Sequence, residues 1–168
     1  MVNRTEADDI IAILSKMSSE EVMIVSSDKD LKQLLVNSNV KQYSPTKRDF
    51  VYDEDPEQSL IEHIIRGDSS DGIPNIFSDD DSIINENKRQ TPCRANKIKQ
   101  VIENLGDWTS HEKWIRNQTL IDLNYIPEEY ESIILEEYKK EPEGKRKNLL
   151  NYFIKYNLKN LVEHLEEF

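Results

Sequence analysis

The apolar positions change their period once along the chain. Ile10, Ile13, Leu14 and Met17 recur at helical spacing behind Thr5, and Thr5 with Asp8 three residues on forms a capping-box pattern. A helix is therefore expected over about residues 6–18. The run Glu21-Val22-Met23-Ile24-Val25-Ser26-Ser27 is short and unbroken, as in a strand buried on both faces of a parallel sheet. A short helix from Asp28 to Leu35, a second strand from Val40 to Ser44 and a third from Phe50 to Tyr52 complete an α/β pattern. After Asp53 every periodic segment is helical. Pro56 suits the first turn of a helix that runs to Arg66 and stops at Gly67, while Thr91 and Pro92 read as cap and first position of a helix through Leu105. Further helices are expected at Glu128 to Lys140, Lys147 to Tyr156 and Leu158 to Phe168, the last with Leu158, Leu161, Val162 and Leu165 on a core face. Asp79 to Gln90 is polar and reads as a loop.

Two or three strands make a poor parallel sheet, because a central strand needs neighbours on both sides and helices on both faces. The expectation is an α/β core over residues 1–55 whose N-terminal strands are missing, lying before residue 1, followed by an all-helical part over residues 56–168. Such a chain would expose an apolar sheet edge that demands a partner.

Composition narrows the function. Of 168 residues, 36% are apolar and 33% charged, with 4 glycines, which suits a helix-rich globular protein. No apolar run approaches the roughly 20 residues that span a bilayer, and no signal-peptide core follows Met1; a membrane or secreted protein is excluded on this reading. Cys93 is the single cysteine, so there is no disulfide framework or cysteine zinc site and a reducing cytosol is expected. His63, His111 and His164 are scattered singly, which argues against a histidine metal cluster and leaves metal chemistry to carboxylates.

The net charge of −11 would argue against nucleic acid as a partner, but the charge is segregated. Residues 53–81 hold ten acids and one base, Arg66, whereas residues 88–99 hold Lys88, Arg89, Arg94, Lys97 and Lys99 and no acid. One region can gather cations and another phosphates.

Three acidic clusters carry the candidate chemistry: Glu6-Ala7-Asp8-Asp9, Asp28-Lys29-Asp30 and Asp68-Ser69-Ser70-Asp71. Asp28 and Asp30 follow the first strand, at the sheet end where open α/β folds bind ligands. Each cluster also has a plainer reading: first-turn acids complementing a helix dipole, a helix cap, and turn residues between Gly67 and Gly72. Glu6 falls on the apolar helix face, while Asp8 points nearly opposite and reaches a metal only from the first turn. Oxygen-only ligands favour Mg²⁺ or Mn²⁺, and two such ions form a clamp for in-line phosphodiester hydrolysis.

In order and spacing, Glu6-Ala7-Asp8-Asp9-Ile10-Ile11-Ala12, Ile24-Val25-Ser26-Ser27-Asp28-Lys29-Asp30-Leu31 and Gly67-Asp68-Ser69-Ser70-Asp71-Gly72-Ile73-Pro74 resemble the motifs of the 5′ nuclease (flap endonuclease) superfamily. The likeness is nearest to its ribonuclease H branch in T-even-type bacteriophages. It extends to Val40-Lys41-Gln42-Tyr43-Ser44-Pro45, Thr91-Pro92, Leu120 to Pro127 and Glu167-Phe168. The resemblance implies that Asp8 and Asp28 ligate a first Mg²⁺ with Glu6 in or near its shell, and that Asp30, Asp68 and Asp71 serve a second, some through water. Residues 61–105 would then form a helix-three-turn-helix element holding duplex backbone, with Arg94, Lys97 and Lys99 on phosphates and Lys88 and Arg89 beside them.

The implied substrates are duplex DNA and RNA·DNA hybrid with a free 5′ end or flap. The implied role is removal of RNA primers in lagging-strand replication in the cytoplasm of an infected host, with a phage single-stranded-DNA-binding protein as partner. The superfamily's usual Asn after the last Asp and Gly after the Pro are here Gly72 and Asn75. Its first strand with an Asp, and an acid from the arch region, have no counterpart, so weak or absent activity is expected unless a separate N-terminal nuclease polypeptide supplies them. The alternative is a noncatalytic module that keeps duplex or partner binding without cleavage.

Overall fold

The computed structural model describes residues 4–140 and 148–167. Two compact units divide after Leu135. The larger opens with α1 (Ala7–Met17) and β1 (Val22–Val25), then a 3-10 helix (Asp30–Val36), β2 (Val40–Ser44) and β3 (Asp49–Val51). It continues through α2 (Pro56–Arg66), α3 (Ala95–Glu103), α4 (Leu105–Trp108) and α5 (Glu112–Ile121) into α6 (Glu128–Lys139). The second unit contains α7 (Leu149–Lys155), α8 (Lys159–Val162) and a 3-10 turn at Leu165–Glu167.

The sheet has the order β1-β2-β3. β1 runs parallel to β2, pairing Val22 with Val40 and Val25 with Tyr43, whereas β3 returns antiparallel, pairing Phe50 with Tyr43. The third strand is thus a hairpin return rather than another parallel member. Ile24 and Val40 face inward and pack with Ala12, Leu31 and Leu34. The opposite face is open: Met23 is 48% and Val25 65% exposed, with Phe50 also exposed. The expected burial of the first strand on both faces therefore does not occur among the described residues. An unbroken apolar run shows that a strand forms, not what covers it.

A second cluster, Ile64, Ile65, Ile73, Ile76, Ile98, Val101, Trp114 and Ile121, lies in the helical part. Leu123 and Ile126 return to pack on the sheet-side cluster. Gln33 fastens the return by donating to the Ile121 carbonyl (3.0 Å) and accepting from the Leu123 amide (2.9 Å). Because Gln33 sits on the 3-10 helix that begins at Asp30, this bond also fixes one wall of the cleft described below.

Several predicted bounds hold closely. α2 has Asp55 as its cap, accepting from the Gln58 amide at 2.9 Å, Pro56 in the first turn and Gly67 at its end. Others shift for local reasons. α1 is capped by Glu6, whose amide donates to Asp9 at 2.9 Å, so the capping box lies one residue beyond Thr5 and Asp8. The helix expected from Thr91 begins instead at Ala95, because the Thr91 amide donates to Ser78 Oγ (2.8 Å) and its carbonyl accepts from Asn75 (3.0 Å). The helix expected from Leu158 to Phe168 breaks into α8 and the 3-10 turn, and Leu158 and Leu161 are exposed rather than core. Lys147 and Phe168 lie outside the described residues.

The pattern reading passes over α5. Its Asn117 is fully buried and donates to the carbonyls of Ile64 (2.8 Å) and Pro74 (3.0 Å), joining α2 to the loop that follows Asp71. Asn117→Ala removes the side-chain donor from the Ile64 carbonyl and leaves the Pro74 carbonyl to Arg116 alone (2.9 Å), and an expected loss of about 1–3 kcal/mol follows, read as a lower urea midpoint.

Candidate metal centre

The cleft gathers its acids from segments far apart in the chain. α1 starts beside the C-terminal end of β1, so its first turn faces the loop after the strand. The loop after α2 closes the third side. Glu6, Asp8, Asp9, Asp28, Asp30 and Asp71 line a cleft of about 760 Å³, with Lys29, Ser70 and Thr119 among the other walls. The three clusters of the sequence thus meet at one place. Asp8 reaches it from the first turn of α1, as its angular position requires.

The cleft is electrostatically crowded. Burial holds the Asp8 carboxyl above its ordinary value, and the charges of Asp28, Asp30, Glu6 and Asp9 add to the effect. Asp30 is likewise raised, first by burial and then by Asp28 and Asp68, with His63 and Lys29 opposing. Asp30 Oδ1 is buried and accepts no hydrogen bond. Two neighbouring carboxyls that are hard to ionise, one with an oxygen that accepts no hydrogen bond, form the centre of a donor set suited to a divalent cation.

Asp68 differs from its neighbours. Its side chain is 3% exposed, and Oδ2 accepts from Lys29 Nζ at 2.6 Å and lies 3.2 Å from His63 Nε2. Oδ1 accepts from the Ser70 amide at 2.9 Å and from the Ser70 hydroxyl. Burial opposes its ionisation, but these four contacts together hold the carboxyl well below the usual carboxylate range. Asp68 is therefore the fixed anion of the site, turned inward beneath the cleft. Asp28 organises its own loop, Oδ1 accepting from the Asp30 amide at 3.0 Å.

Sequence reasoning missed His63. It sits on α2 four residues before Gly67, with Nδ1 3.7 Å from Asp30 Oδ1 and Nε2 facing Asp68. Asp30, His63 and Asp68 each offer a ligand atom within 4.8 Å of the others. The sequence left metal chemistry to carboxylates alone; fold contacts, not spacing, bring the singly placed histidine beside the acids. The available signal was the short path from His63 through the Gly67 stop to Asp68.

The basic candidates lie apart from these acids. Arg94 stands at the N-cap position of α3 without a side-chain capping bond, and Lys97, three residues on, has its amine 5.1 Å from the centre of the Phe77 ring. Lys99 pairs with Glu103 (3.8 Å), and Lys88 with Asp81 (2.8 Å) and Asp79 (3.5 Å). Arg89 is exposed.

The raised carboxyl of Asp8 has a measurable consequence. A carboxyl harder to ionise in the folded state supports folding fully below its unfolded value of 3.8, and that support is lost as pH rises through the folded value. Asp8→Asn is therefore expected to raise the metal-free melting temperature at pH 7, by about 2–4 °C for each kcal/mol of repulsion released. The gain should shrink below pH 3.8; scanning calorimetry at both pH values checks it.

Comparison with known proteins places this geometry in context. The family described as T4 RNase H, C terminal, matches residues 54–168, and the 5′-3′ exonuclease N-terminal resolvase-like domain matches residues 1–62. The chain is 31% identical to ribonuclease H of Enterobacteria phage T4 over 183 aligned residues, covering 99% of this chain and 59% of that protein. It is 40% identical to a 5′-3′ exonuclease of Buchnera aphidicola over 81 residues, covering 42% of this chain and 28% of that one. The chain thus spans about three fifths of the T4 relative. Among solved structures, the T5 D15 protein co-crystallised with metal ions shares the fold at a TM-score of 0.53 and 24% identity, covering 81% of this chain and 61% of that chain. Since the first match takes in more than half of its residues, the chain belongs to the T4 RNase H C-terminal family.

Proposed function

We propose that the chain is the C-terminal part of a 5′ to 3′ exonuclease and flap endonuclease of ribonuclease H type, hydrolysing phosphodiesters in RNA·DNA and DNA·DNA duplexes with free or flapped 5′ ends. Removal of RNA primers in phage lagging-strand replication is the proposed role. The observation that carries the reading is the meeting of Glu6, Asp8, Asp28, Asp30 and Asp71 in one cleft. The proposed division of labour is an α/β part up to residue 55 that holds cations and a helical part from residue 56 that holds duplex.

The orphaned oxygen of Asp30 and the raised carboxyls of Asp8 and Asp30 fit divalent cations. Glu6, Asp8 and Asp28 would hold one, and Asp30, Asp71 and Asp68 would serve another. Two Mg²⁺ or Mn²⁺ ions supply a more acidic water and neutralise the leaving oxygen. The protein's own groups do the rest. Lys29, 2.6 Å from Asp68 Oδ2, keeps that carboxyl ionised and fixed beneath the cleft. Arg94 and Lys97 hold backbone phosphates and set register without reading sequence.

Replacing both Arg94 and Lys97 by Ala is expected to weaken duplex binding equally across sequences and to lower the salt slope by about one per residue. Lys88→Ala should change it less, because Lys88 is already engaged by Asp79 and Asp81. Fluorescence anisotropy at several salt concentrations reads both.

The open face at Met23, Val25 and Phe50 supports a partner for the sheet, proposed here as an N-terminal nuclease polypeptide. Exposed Leu150, Tyr152, Ile154 and Leu161 support contact of the C-terminal helices with a single-stranded-DNA-binding protein. The test of function is cleavage of a labelled 5′-flap duplex by the chain, alone and mixed with the N-terminal segment of a family nuclease. Mg²⁺-dependent product, stronger in the mixture, is expected. Duplex binding without product in either case would overturn the reading in favour of a noncatalytic module.

A further inference from the structure

His63 lies on the last turn of α2 with its side chain 21% exposed and one ring nitrogen turned toward each of two carboxylates. The two sides are not equivalent. Nε2 is within hydrogen-bond distance of Asp68 Oδ2 at 3.2 Å. Nδ1 is 3.7 Å from Asp30 Oδ1, too far for a hydrogen bond, and that oxygen is buried with no other donor. A buried carboxylate oxygen facing a ring nitrogen across a gap is poorly served by the protein alone.

The gap has the size of an ion. Two atoms each about 2.1 Å from a shared cation lie about 3.0 Å apart at a right angle and about 4.2 Å apart when opposed, and 3.7 Å falls between. The far side of the ring is also prepared. A metal-ligating histidine characteristically donates its other N–H to a carboxylate that fixes ring orientation and tautomer. Asp68 holds that place, itself pinned by Lys29 and by the amide and hydroxyl of Ser70. The three groups come from the first residue of the 3-10 helix after β1, the last turn of α2 and the loop beyond Gly67.

We infer that His63 Nδ1 is a nitrogen ligand of the cation held by Asp30, with Asp68 as the carboxylate that orients the ring. The inference rests on the cation-binding reading of the cleft and adds a ligand type to it. A mixed nitrogen and oxygen set favours Mn²⁺, Co²⁺ or Zn²⁺ over Mg²⁺, which prefers oxygen alone.

The test uses the full 168-residue chain loaded with Mn²⁺, examined by electron spin-echo envelope modulation with natural-abundance and ¹⁵N-histidine protein. The expected result is a directly coordinated imidazole nitrogen that changes with the isotope and disappears in His63→Gln. That variant should still bind Mn²⁺, about tenfold more weakly, with Mg²⁺ affinity changed less than about twofold. Mn²⁺ bound by the native chain without nitrogen modulation, or modulation that persists in His63→Gln, would overturn the inference and leave the carboxylate reading standing. No Mn²⁺ bound by the native chain would overturn both. The native spectrum decides the first point even if the variant folds poorly.

Discussion

Replacing Asp28 and Asp30 together by Asn lowers the affinity of the cleft for Mn²⁺ at least about a hundredfold, beyond the 10 to 100-fold typical of losing a group that merely supports a ligand. The change removes two charges from the middle of the acidic set while keeping shape. The side-chain oxygen of an Asn at 28 can still accept from the residue 30 amide, as Asp28 Oδ1 does at 3.0 Å, so the loop after β1 keeps its turn. The carbonyl of residue 28 still accepts from the buried Gln42 side chain at 2.7 Å. Loss of binding with the fold intact, by calorimetric titration and circular dichroism, is the expected pair of results. Unchanged affinity would place the ion elsewhere.

The second large effect is structural and reaches the same site. Gly67 has φ of +65° and ψ of −174°, a backbone state that residues with a Cβ rarely adopt. A Cβ there would meet the Ile73 carbonyl oxygen and stand 2.6 Å from the Pro74 carbonyl, all backbone atoms that cannot rotate away. Gly67→Ala is expected to cost at least about 3 kcal/mol, which in a chain of this size lowers the melting temperature by about 6–12 °C. It should also displace Asp68, the next residue, and with it the contacts to His63 and Lys29. Gly72→Ala is the control. Its φ is +76° but no atom lies within 4 Å of the added carbon, so only backbone strain of about 1–2 kcal/mol remains. Equal losses in the two variants would mean that the close approach at Gly67 is not what constrains the loop.

What the sequence discloses follows from how local each feature is. α2 was legible because Pro56 and Gly67 mark its two ends within the segment itself. The second strand was legible at its observed bounds, Val40–Ser44. The open face of β1 was not, since exposure of Met23 and Val25 depends on what packs above them. The late start of α3 depends on bonds from Thr91 to Asn75 and Ser78, more than ten residues away. α5 hid because its buried set, Trp114, Asn117 and Ile121, mixes a polar residue into the apolar face.

The candidate site divides the same way. The acids at 6–9, 28–30 and 68–71 stood out as clusters in order, and the cleft brings members of all three together. The different duties of Asp68 and Asp71 were not visible. Asp68 is buried and bound on both oxygens while Asp71 is exposed; Ser70 holds one oxygen locally, but the partners of the other, Lys29 and His63, lie 39 and 5 residues away.

Whether three separate acidic segments surround the same divalent ions is tested most directly by loading the chain with Fe²⁺ and letting ascorbate and peroxide cut the backbone nearest the metal. Cuts are expected at residues 6–9, 28–30 and 68–71 in the same preparation, all suppressed together by excess Mg²⁺ or Mn²⁺. Cuts confined to one of those segments, or scattered cuts that the competing ion leaves unchanged, would contradict that arrangement.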